Sequence, residues 1–253
     1  MDSVSIKNLC FSFHEPGQEK RIILDNANLV VQQKEALCIC GQSGQGKSTL
    51  LRILAGLAQP HSGQIFYSGI ESEAHEHTAL QVALVHKVAF VFQNAALISN
   101  LRVFDNVALP IRYHQPHRSE ASVREQVTGL LASMMVDDYA NYFPYALSAG
   151  ILRRVAIARA LALEPRILLM DEPTTGLDVK NRRSLLALIA NQRSLRHATI
   201  IMVTHDLPIA KELDARICFL HKGILSETYS YDELGLAHES YIRELVEEME
   251  HAG

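Results

Sequence analysis

The chain has 253 residues, 48% of them hydrophobic and 21% charged, a balance that suits a globular protein with one large or two small cores and excludes a disordered chain. Lysine and arginine number 24 against 28 acidic residues, and the resulting charge of −4 disfavours a nucleic-acid-binding protein. The apolar runs are far shorter than the roughly 20 residues of a membrane-spanning helix, and residues 1–4 lack the basic and apolar regions of a signal peptide. We therefore expect a cytoplasmic protein that reaches a membrane only through a partner.

The first elements in chain order are short strands. Residues 4–8, 9–13 and 22–31 have weak strand patterns, and the polar stretch 14–21 between them predicts a turn, so the segment is interpreted as a hairpin. Residues 36–40 form a continuous apolar run that is typical of a fully buried strand.

An amphipathic helix is predicted next, at residues 47–57, because its four leucines fall at helical spacing. Buried strands follow at 88–92, 166–170 and 199–203, and the helical stretches between them indicate a mostly parallel α/β sheet. The long span 94–163 is interpreted as a helical insertion.

The last elements are a closing hairpin and a charged helix. Residues 216–221 and 224–228 flank a Lys-Gly turn, which predicts two antiparallel strands. The helix at 241–250 is interpreted as a solvated or partner-facing surface.

The cysteines and one histidine cluster carry no predicted site. Cys38 and Cys40 alternate in the buried strand at 36–40 and are interpreted as reduced core thiols. Together with Cys10 and Cys218 they lack the spacing of a disulfide framework or a zinc site. The cluster at 75–77 (His-Glu-His) lacks the spacing of a helical zinc motif and is interpreted as a solvated loop.

The strongest motif is G-x-x-x-x-G-K-S at residues 41–48, with Thr49 after it. Its glycines let backbone N–H groups converge on phosphate oxygens, and the start of the following helix adds positive potential. Lys47 then reaches the β- and γ-phosphates, and the Ser48 hydroxyl ligates Mg²⁺. A strand before the motif and a helix after it favour this phosphate loop over an ordinary glycine-rich surface loop.

A second motif is the apolar run at residues 167–170, which ends in Asp171 and Glu172. Asp171 at the strand end is suited to hold the metal, directly or through water. Glu172 points elsewhere and is a candidate to orient and deprotonate the attacking water.

Together these motifs resemble the ATP-binding-cassette (ABC) ATPases along nearly the whole chain. Residues 147–151 (L-S-A-G-I) stand where that family has its L-S-G-G-Q signature. Gln93 corresponds to the Q-loop glutamine, residues 176–178 to the D-loop and His205 to the switch histidine. Phe13 occupies the place of the aromatic residue that stacks on adenine.

The resemblance implies an α/β fold of the P-loop NTPase, ABC type, with a mostly parallel core sheet, an N-terminal antiparallel β-subdomain and a helical insertion. It implies a single nucleotide-binding domain over residues 1–253. Within it, 1–92 and 164–228 form the RecA-like core with the β-subdomain, 93–163 form the helical subdomain with the signature, and 229–253 form a tail.

The resemblance also implies ATP and Mg²⁺ as ligands and assigns a role to each site residue. Glu172 activates water and His205 contacts the γ-phosphate. Ser148 and Gly150 contact the ATP of a second copy, so two sites form only in a head-to-tail homodimer. The implied nucleotide-binding residues are Phe13, Gly41, Ser43, Gly44, Gly46, Lys47, Ser48, Thr49, Gln93, Ser148, Gly150 and Asp178. The implied metal-binding residues are Ser48, Gln93 and Asp171.

The signature departs from the family pattern at two positions. Ala149 replaces a glycine and loses freedom at positive φ, and Ile151 replaces a glutamine and loses a polar contact. A degenerate, inactive site is the alternative interpretation. Because every residue implied in hydrolysis is present, we expect an active ATPase.

A single cassette without membrane helices resembles the separate ATPase subunit of a bacterial transporter, and an ATPase with a non-transport partner is the alternative. Residues 90–112 and 150–156 resemble the Mla/Mce-type phospholipid transporters, with Ile98 and Ala149 as departures. That resemblance implies permease subunits, a STAS-domain regulator and a lipid-carrying MCE protein. It places the chain at the cytoplasmic face of the inner membrane, powering phospholipid transport between inner and outer membranes.

Two other functions stay open at this point. One is an ABC ATPase for another cargo, through lipoprotein release or solute import. The other is a nucleotide-dependent regulatory module that binds ATP and scarcely hydrolyses it.

Overall fold

The computed structural model describes residues 2–13, 21–68, 70–72, 79–196, 198–237 and 240–251. The strands in these ranges are β1 Asp2–Phe13, β2 Arg21–Gln32, β3 Ala36–Cys40, β4 Ser62–Tyr67, β5 Ile70–Ser72, β6 Val88–Val91, β7 Ile167–Asp171, β8 Thr199–Val203, β9 Arg216–His221 and β10 Ile224–Tyr229. The α-helices are α1 Lys47–Leu54, α2 Ala79–Val85, α3 Val103–His114, α4 Glu120–Ser133, α5 Ala149–Leu161, α6 Val179–Arg196, α7 Pro208–Glu212 and α8 Ser240–His251. Short 3-10 helices lie at Asp137–Tyr139, Pro144–Ala146 and Tyr231–Leu236.

The larger sheet has six strands in the order β10-β9-β3-β8-β7-β6. Its strands pair in parallel except at the β9–β10 edge, so the predicted mostly parallel sheet is confirmed. Every residue of β3, β7 and β8 is buried, as expected for parallel strands covered on both faces. The carboxyl ends of these strands therefore meet at one edge of the sheet.

The N-terminal sheet is antiparallel, with the order β2-β1-β4-β5, and confirms the predicted β-subdomain. The separate strands predicted at 4–8 and 9–13 are wrong, because β1 is one strand with register shifts where Asn8 adopts φ 51°. Arg21, predicted in the turn, begins β2. The sequence missed β4 because the first half of this strand is polar and exposed.

Helix α1 ends three residues earlier than predicted. Gly56 has φ 68° and donates to the Ile53 carbonyl, while the Leu57 N–H donates to Arg52, which is the hydrogen-bond pattern of a Schellman C-cap. Leu57 is consequently 45% exposed instead of lying on the apolar face of the helix.

Helices α3, α4 and α5 pack against one another and form the predicted helical insertion. Apolar side chains that are spaced at helical intervals fill the interior between them: Val107, Ile111, Val123, Val127, Leu130 and Val155. The division of the chain into core, helical and tail segments stays a prediction.

The predicted hairpin at the end of the chain is confirmed, whereas the interpretation of the tail helix as a surface element is wrong in part. Lys222 (φ 47°) and Gly223 (φ 85°) make a turn with two left-handed residues between β9 and β10, as the Lys-Gly pair predicts. Helix α8 is not merely a surface element, because Ile242 and Leu245 are buried against the core of the larger sheet.

The buried thiols are unreactive. Cys38, Cys40 and Cys218 are free and buried, and Cys10 is free and half-buried. Burial raises the pKa of the Cys38 and Cys218 thiols to about 12, which keeps both protonated at neutral pH. The cluster at 75–77 lies outside the described residues.

Two absences hold for the described ranges of the chain. None of their helices combines the length and apolarity needed to cross a bilayer. No three of their His, Cys, Asp and Glu side chains converge on a common metal position.

Candidate active site

The phosphate-loop motif leaves the carboxyl end of β3, where a parallel sheet offers a crevice for ligands. Gly41 and Gly46 adopt φ 145° and 101°. A Cβ at Gly41 would lie 2.5 Å from the Leu220 carbonyl oxygen, and one at Gly46 would lie 2.3 Å from the Ile23 Cγ2. The fold around the loop therefore requires glycine at both positions.

Lys47 begins α1 and is buried inside the loop. Its Nζ donates to the carbonyl oxygens of Gly41 at 2.7 Å and Gln42 at 2.9 Å. Burial lowers the pKa of the ammonium, and the nearby Glu172 carboxylate opposes that change. The ammonium is thus held where the loop curves around it.

Ser48 and Asp171 meet across the edge of the sheet. The Ser48 Oγ donates to the Asp171 Oδ1 at 2.7 Å, which joins the start of α1 to the end of β7. Burial raises the pKa of the Asp171 carboxyl, whereas the Ser48 hydrogen bond lowers it. Hydroxyl and carboxylate oxygens, with the amide oxygen of Gln93 on the same cavity, are the ligand types that Mg²⁺ prefers, so the donor set fits this ion.

Glu172 is held by a hydrogen-bonded group at the ends of β7 and β8. Its Oε2 accepts from the Thr175 Oγ1 at 2.9 Å and lies 2.8 Å from the His205 Nδ1. Glu172 has φ 46°, a costly conformation for a non-glycine residue that is typical of functional sites. Arg182 on α6 pairs with Asp206, the neighbour of His205. The Thr175 and His205 contacts fix the orientation of the Glu172 carboxylate.

These elements enclose a cavity of about 350 Å³. It is lined by nine of the predicted site residues: Phe13, Ser43, Gly44, Gly46, Lys47, Ser48, Thr49, Gln93 and Glu172. Phe13 is 49% exposed and packs edge-on against Phe11, so it presents an aromatic surface at one end. Gly41, Asp171 and His205 join the group through their contacts with these residues.

Of the residues that the structure describes, Arg21 and Ile23 also line the cavity, and the motifs missed both. Both lie on β2, which the sequence pattern indicated only weakly. Nothing in the strand pattern indicated that the first residues of β2 face the phosphate loop.

The remaining predicted residues lie away from the cavity and close to each other. Ser148 is the N-cap of α5 and accepts a long hydrogen bond of 3.5 Å from the Ile151 N–H. Asp178 accepts from the backbone and side-chain nitrogens of Asn181 at 2.9 and 2.6 Å. A Cβ at Gly150 would lie 3.6 Å from Asn181, so the signature and the D-loop are neighbours within one chain.

The two departures in the signature are compatible with the backbone. Ala149 is the first residue of α5 and does not adopt a positive φ, so the predicted loss of freedom is not felt there. Helix α5 begins at Ala149 because the Ser148 side chain caps it. Ile151 packs against the core with its side chain.

Two arginines of α5 brace the loop around Gln93, and the motifs did not identify them. Ala95 and Ala96 follow the glutamine with φ 62° and 47°. Arg159 donates to their carbonyl oxygens at 3.0 and 2.8 Å, and Arg153 donates to Phe92 at 3.3 Å. Burial removes water from both guanidinium groups and lowers their pKa. The hydrogen bonds to the loop carbonyls replace part of the lost hydration.

Asn106 on α3 holds the rest of that loop. The amide is fully buried, accepts from the Ile98 N–H at 2.8 Å and donates to the carbonyl oxygens of Ile98, Leu101 and Arg102 at 3.0 to 3.2 Å. These hydrogen bonds pair backbone N–H and carbonyl groups of the loop with the Asn106 amide.

Asn106→Ala is expected to lower the free energy of unfolding by about 2–3 kcal/mol, because it leaves several buried backbone groups without partners. Urea denaturation measures this change. Asn100→Ala, at an exposed position of the same loop, is the control and should stay within about 0.5 kcal/mol of the wild type. Equal stabilities of the two variants would contradict the role given to Asn106.

Residues 24–175 match the protein family described as ABC transporter. The chain belongs to this family. The match begins in β2 and runs through the phosphate loop, the signature and Glu172, and it confirms the family and the fold class that the sequence motifs indicate.

This ABC cassette is similar to ATP-binding proteins of bacterial importers. It is 42% identical over 207 residues to the sulfate/thiosulfate import ATP-binding protein CysA of Rhodopseudomonas palustris, covering 81% of the cassette and 58% of the relative. It is 36% identical over 224 residues to the methionine import ATP-binding protein MetN of Francisella tularensis, covering 88% and 63%. The chain thus spans about three fifths of the length of each relative.

Solved structures of a dimeric ATP-binding cassette superpose well on this one. A post-hydrolysis state bound to ADP and Pi has a TM-score of 0.81 and 31% identity, covering 90% of this chain and 98% of that one. A second dimeric structure, of a bacterial ABC transporter cassette, has a TM-score of 0.82 at the same identity.

Proposed function

We propose that this cassette is the ATP-hydrolysing subunit of a bacterial ABC transporter and drives solute import through a separate permease. The observation that carries the proposal is the convergence of three features on one cavity. These are the phosphate loop with Lys47, the Ser48–Asp171 pair and the Glu172–His205 pair.

The arrangement suits hydrolysis of the γ-phosphate bond. A water oxygen forms a bond to the γ-phosphorus, the bond to the β–γ bridging oxygen breaks, and ADP and inorganic phosphate leave. Glu172 accepts the proton of the water, since its carboxylate is oriented through Oε2 by Thr175 and His205. Lys47 and the loop N–H groups balance the phosphate charge. Mg²⁺, held by Ser48, Asp171 and Gln93, would supply further charge neutralisation.

The positions of Ser148 and Gly150 support a head-to-tail homodimer. Neither residue lines the cavity of its own chain. A Cβ at Gly150 would make only ordinary contacts of 3.6 Å or more, so packing within the chain does not require glycine there. Close approach of the ATP held by a second copy gives this glycine a reason, and the dimeric solved structures support the same assembly.

An apolar groove of about 260 Å³ supports docking of a permease segment. The groove adjoins the Gln93 loop through Phe92, so a partner seated there would contact the chain neighbour of Gln93, which lines the ATP cavity. Leu57, which lines the groove, is 45% exposed. We propose that this contact holds the cassette at the cytoplasmic face of the inner membrane. The main lining residues are Leu57, Val88, Phe90, Phe92, Pro110 and Leu163.

Solute import is favoured over phospholipid transport as the cargo class because the relatives reported above are import proteins for small solutes. The phospholipid prediction rests in part on residues that are buried in the helical insertion: Val103, Asn106 and Val107. Because these residues are buried and hold the loop after Gln93, the sequence pattern that they form reports the conformation of that loop. Phospholipid transport, with its STAS and MCE partners, is the second candidate, supported by the resemblance of residues 150–156.

The test is to tag the cassette, extract membranes in mild detergent and identify the co-purifying proteins by mass spectrometry. A polytopic permease with a solute-binding protein is the expected result. An MCE-domain protein with bound phospholipid would replace the cargo assignment and keep the ATPase. Recovery of the cassette with no membrane protein at all would contradict the transport function and favour the regulatory module.

A further inference from the structure

Arg21 lies beside Phe13 at the mouth of the ATP cavity. The two residues are opposite each other in the β1–β2 ladder, at the end of one strand and the start of the other. Cross-strand partners in an antiparallel pair have Cα atoms about 5 Å apart. Because both residues line the cavity, the guanidinium belongs to the same wall as the aromatic surface.

The guanidinium also contacts the phosphate loop. Its Nη2 donates to the Gly44 carbonyl oxygen at 2.7 Å, and a Cβ at Gly44 would lie 3.6 Å from the same nitrogen. Arg21 therefore bridges the base end of the cavity, at Phe13, and the loop that surrounds the phosphates.

Among the described residues, two cations line the cavity, Arg21 and Lys47, and their surroundings differ. Lys47 interacts electrostatically with Asp171 and Glu172, so part of its charge is already balanced. Within the described part of the chain, Arg21 has no carboxylate at ion-pair distance and one side-chain hydrogen bond, to a neutral carbonyl. A guanidinium has five N–H donors, so with respect to the residues that the structure describes, most of the hydrogen-bonding capacity of Arg21 is available to an anion.

We propose that Arg21 is a nucleotide-binding residue that contacts the α-phosphate and ribose of ATP. It lies between the aromatic surface of Phe13 and the loop, whereas Lys47, Ser48 and Glu172 form the end of the cavity where the γ-phosphate reacts. The Gly44 carbonyl braces the guanidinium in this position. The inference rests on the proposed ATPase function and adds a residue to that site.

The expected effect is on affinity. A charge-assisted hydrogen bond to a phosphate strengthens binding by roughly tenfold. Since ATP and ADP share the α-phosphate and ribose, Arg21→Ala should raise the Kd of both by about the same factor. The KM for ATP should rise by about tenfold, and kcat at saturating ATP should stay within about twofold of the wild type.

The experiment measures Kd for ATP and ADP by calorimetry, together with KM and kcat, for the wild type, Arg21→Ala and Arg21→Lys. Arg243→Ala, an exposed arginine on α8, is the control and should leave all four constants unchanged. Arg21→Lys keeps the charge and should recover part of the affinity. Thermal unfolding accompanies each variant, and Arg21→Gln replaces Arg21→Ala if the alanine variant is unstable, with the same loss expected.

Three outcomes would overturn the inference. Unchanged Kd values would remove Arg21 from the nucleotide site. A fall in kcat with unchanged Kd would show that the residue acts only through the shape of the loop. Weaker ATP binding with normal ADP binding would move the contact to the γ-phosphate. A wild-type protein that fails to bind or hydrolyse ATP would instead contradict the proposed function itself.

Discussion

Glu172→Gln is expected to lower kcat for ATP hydrolysis by about 10³-fold, while the affinity for ATP stays close to that of the wild type. The amide keeps the size of the side chain and can still accept from Thr175, but it cannot take a proton from water. ATP should then remain bound, and the protein should accumulate as a dimer. Phosphate-release kinetics and size-exclusion chromatography with ATP measure the two effects.

Glu125→Gln is the matched control for this variant, because Glu125 is exposed on α4 and lies outside the cavity. It should hydrolyse ATP at the wild-type rate. A Glu172→Gln protein that retains more than about a tenth of the wild-type kcat would exclude Glu172 as the general base. A wild-type protein that binds ATP with no Glu172-dependent turnover would favour the regulatory module.

Lys47→Ala is expected to raise the Kd for ATP by at least about 100-fold. The substitution removes the buried ammonium that balances phosphate charge, and it also removes the two hydrogen bonds that hold the Gly41 and Gln42 carbonyls. Calorimetric titration with ATP measures the loss. The affinity for ADP should fall as well, because the loop surrounds the β-phosphate in both nucleotides.

Lys7→Ala is the control for charge, since Lys7 is exposed on β1 and rests over the Phe66 ring. Its ATP affinity should match the wild type. Thermal unfolding of Lys47→Ala separates a local loss of binding from a loss of the fold. Unchanged nucleotide affinity in a folded Lys47→Ala protein would contradict the assignment of the nucleotide site.

Local sequence patterns predicted the parts of this protein that are determined by neighbouring residues. The apolar run of β3 and the glycines after it follow from backbone conformation and burial, which act over a few residues. The same is true of the Lys-Gly turn. Where a strand is polar, as at Ser62–Tyr67, or continues through a bulge, as at Asn8, that local signal was missing or misleading.

The cargo shows a different limit. The pattern after Gln93 resembles that of lipid transporters, but Asn106 and its neighbours are buried and hold a loop. Buried residues of this kind report the conformation of the loop. The relatives reported above are named as sulfate/thiosulfate and methionine import proteins, so the comparisons leave the phospholipid prediction unconfirmed.

The sequence by itself determined the family. Its motifs also predicted the phosphate loop and the site carboxylates Asp171 and Glu172, because each motif is a contiguous run whose chemistry depends on spacing. Only the tertiary structure decided that Arg21 lines the same cavity and that Arg153 and Arg159 brace the Gln93 loop. These contacts join residues that are far apart in the chain. The arginines donate to backbone carbonyl oxygens, and a pattern of side chains in the sequence does not show where those oxygens lie.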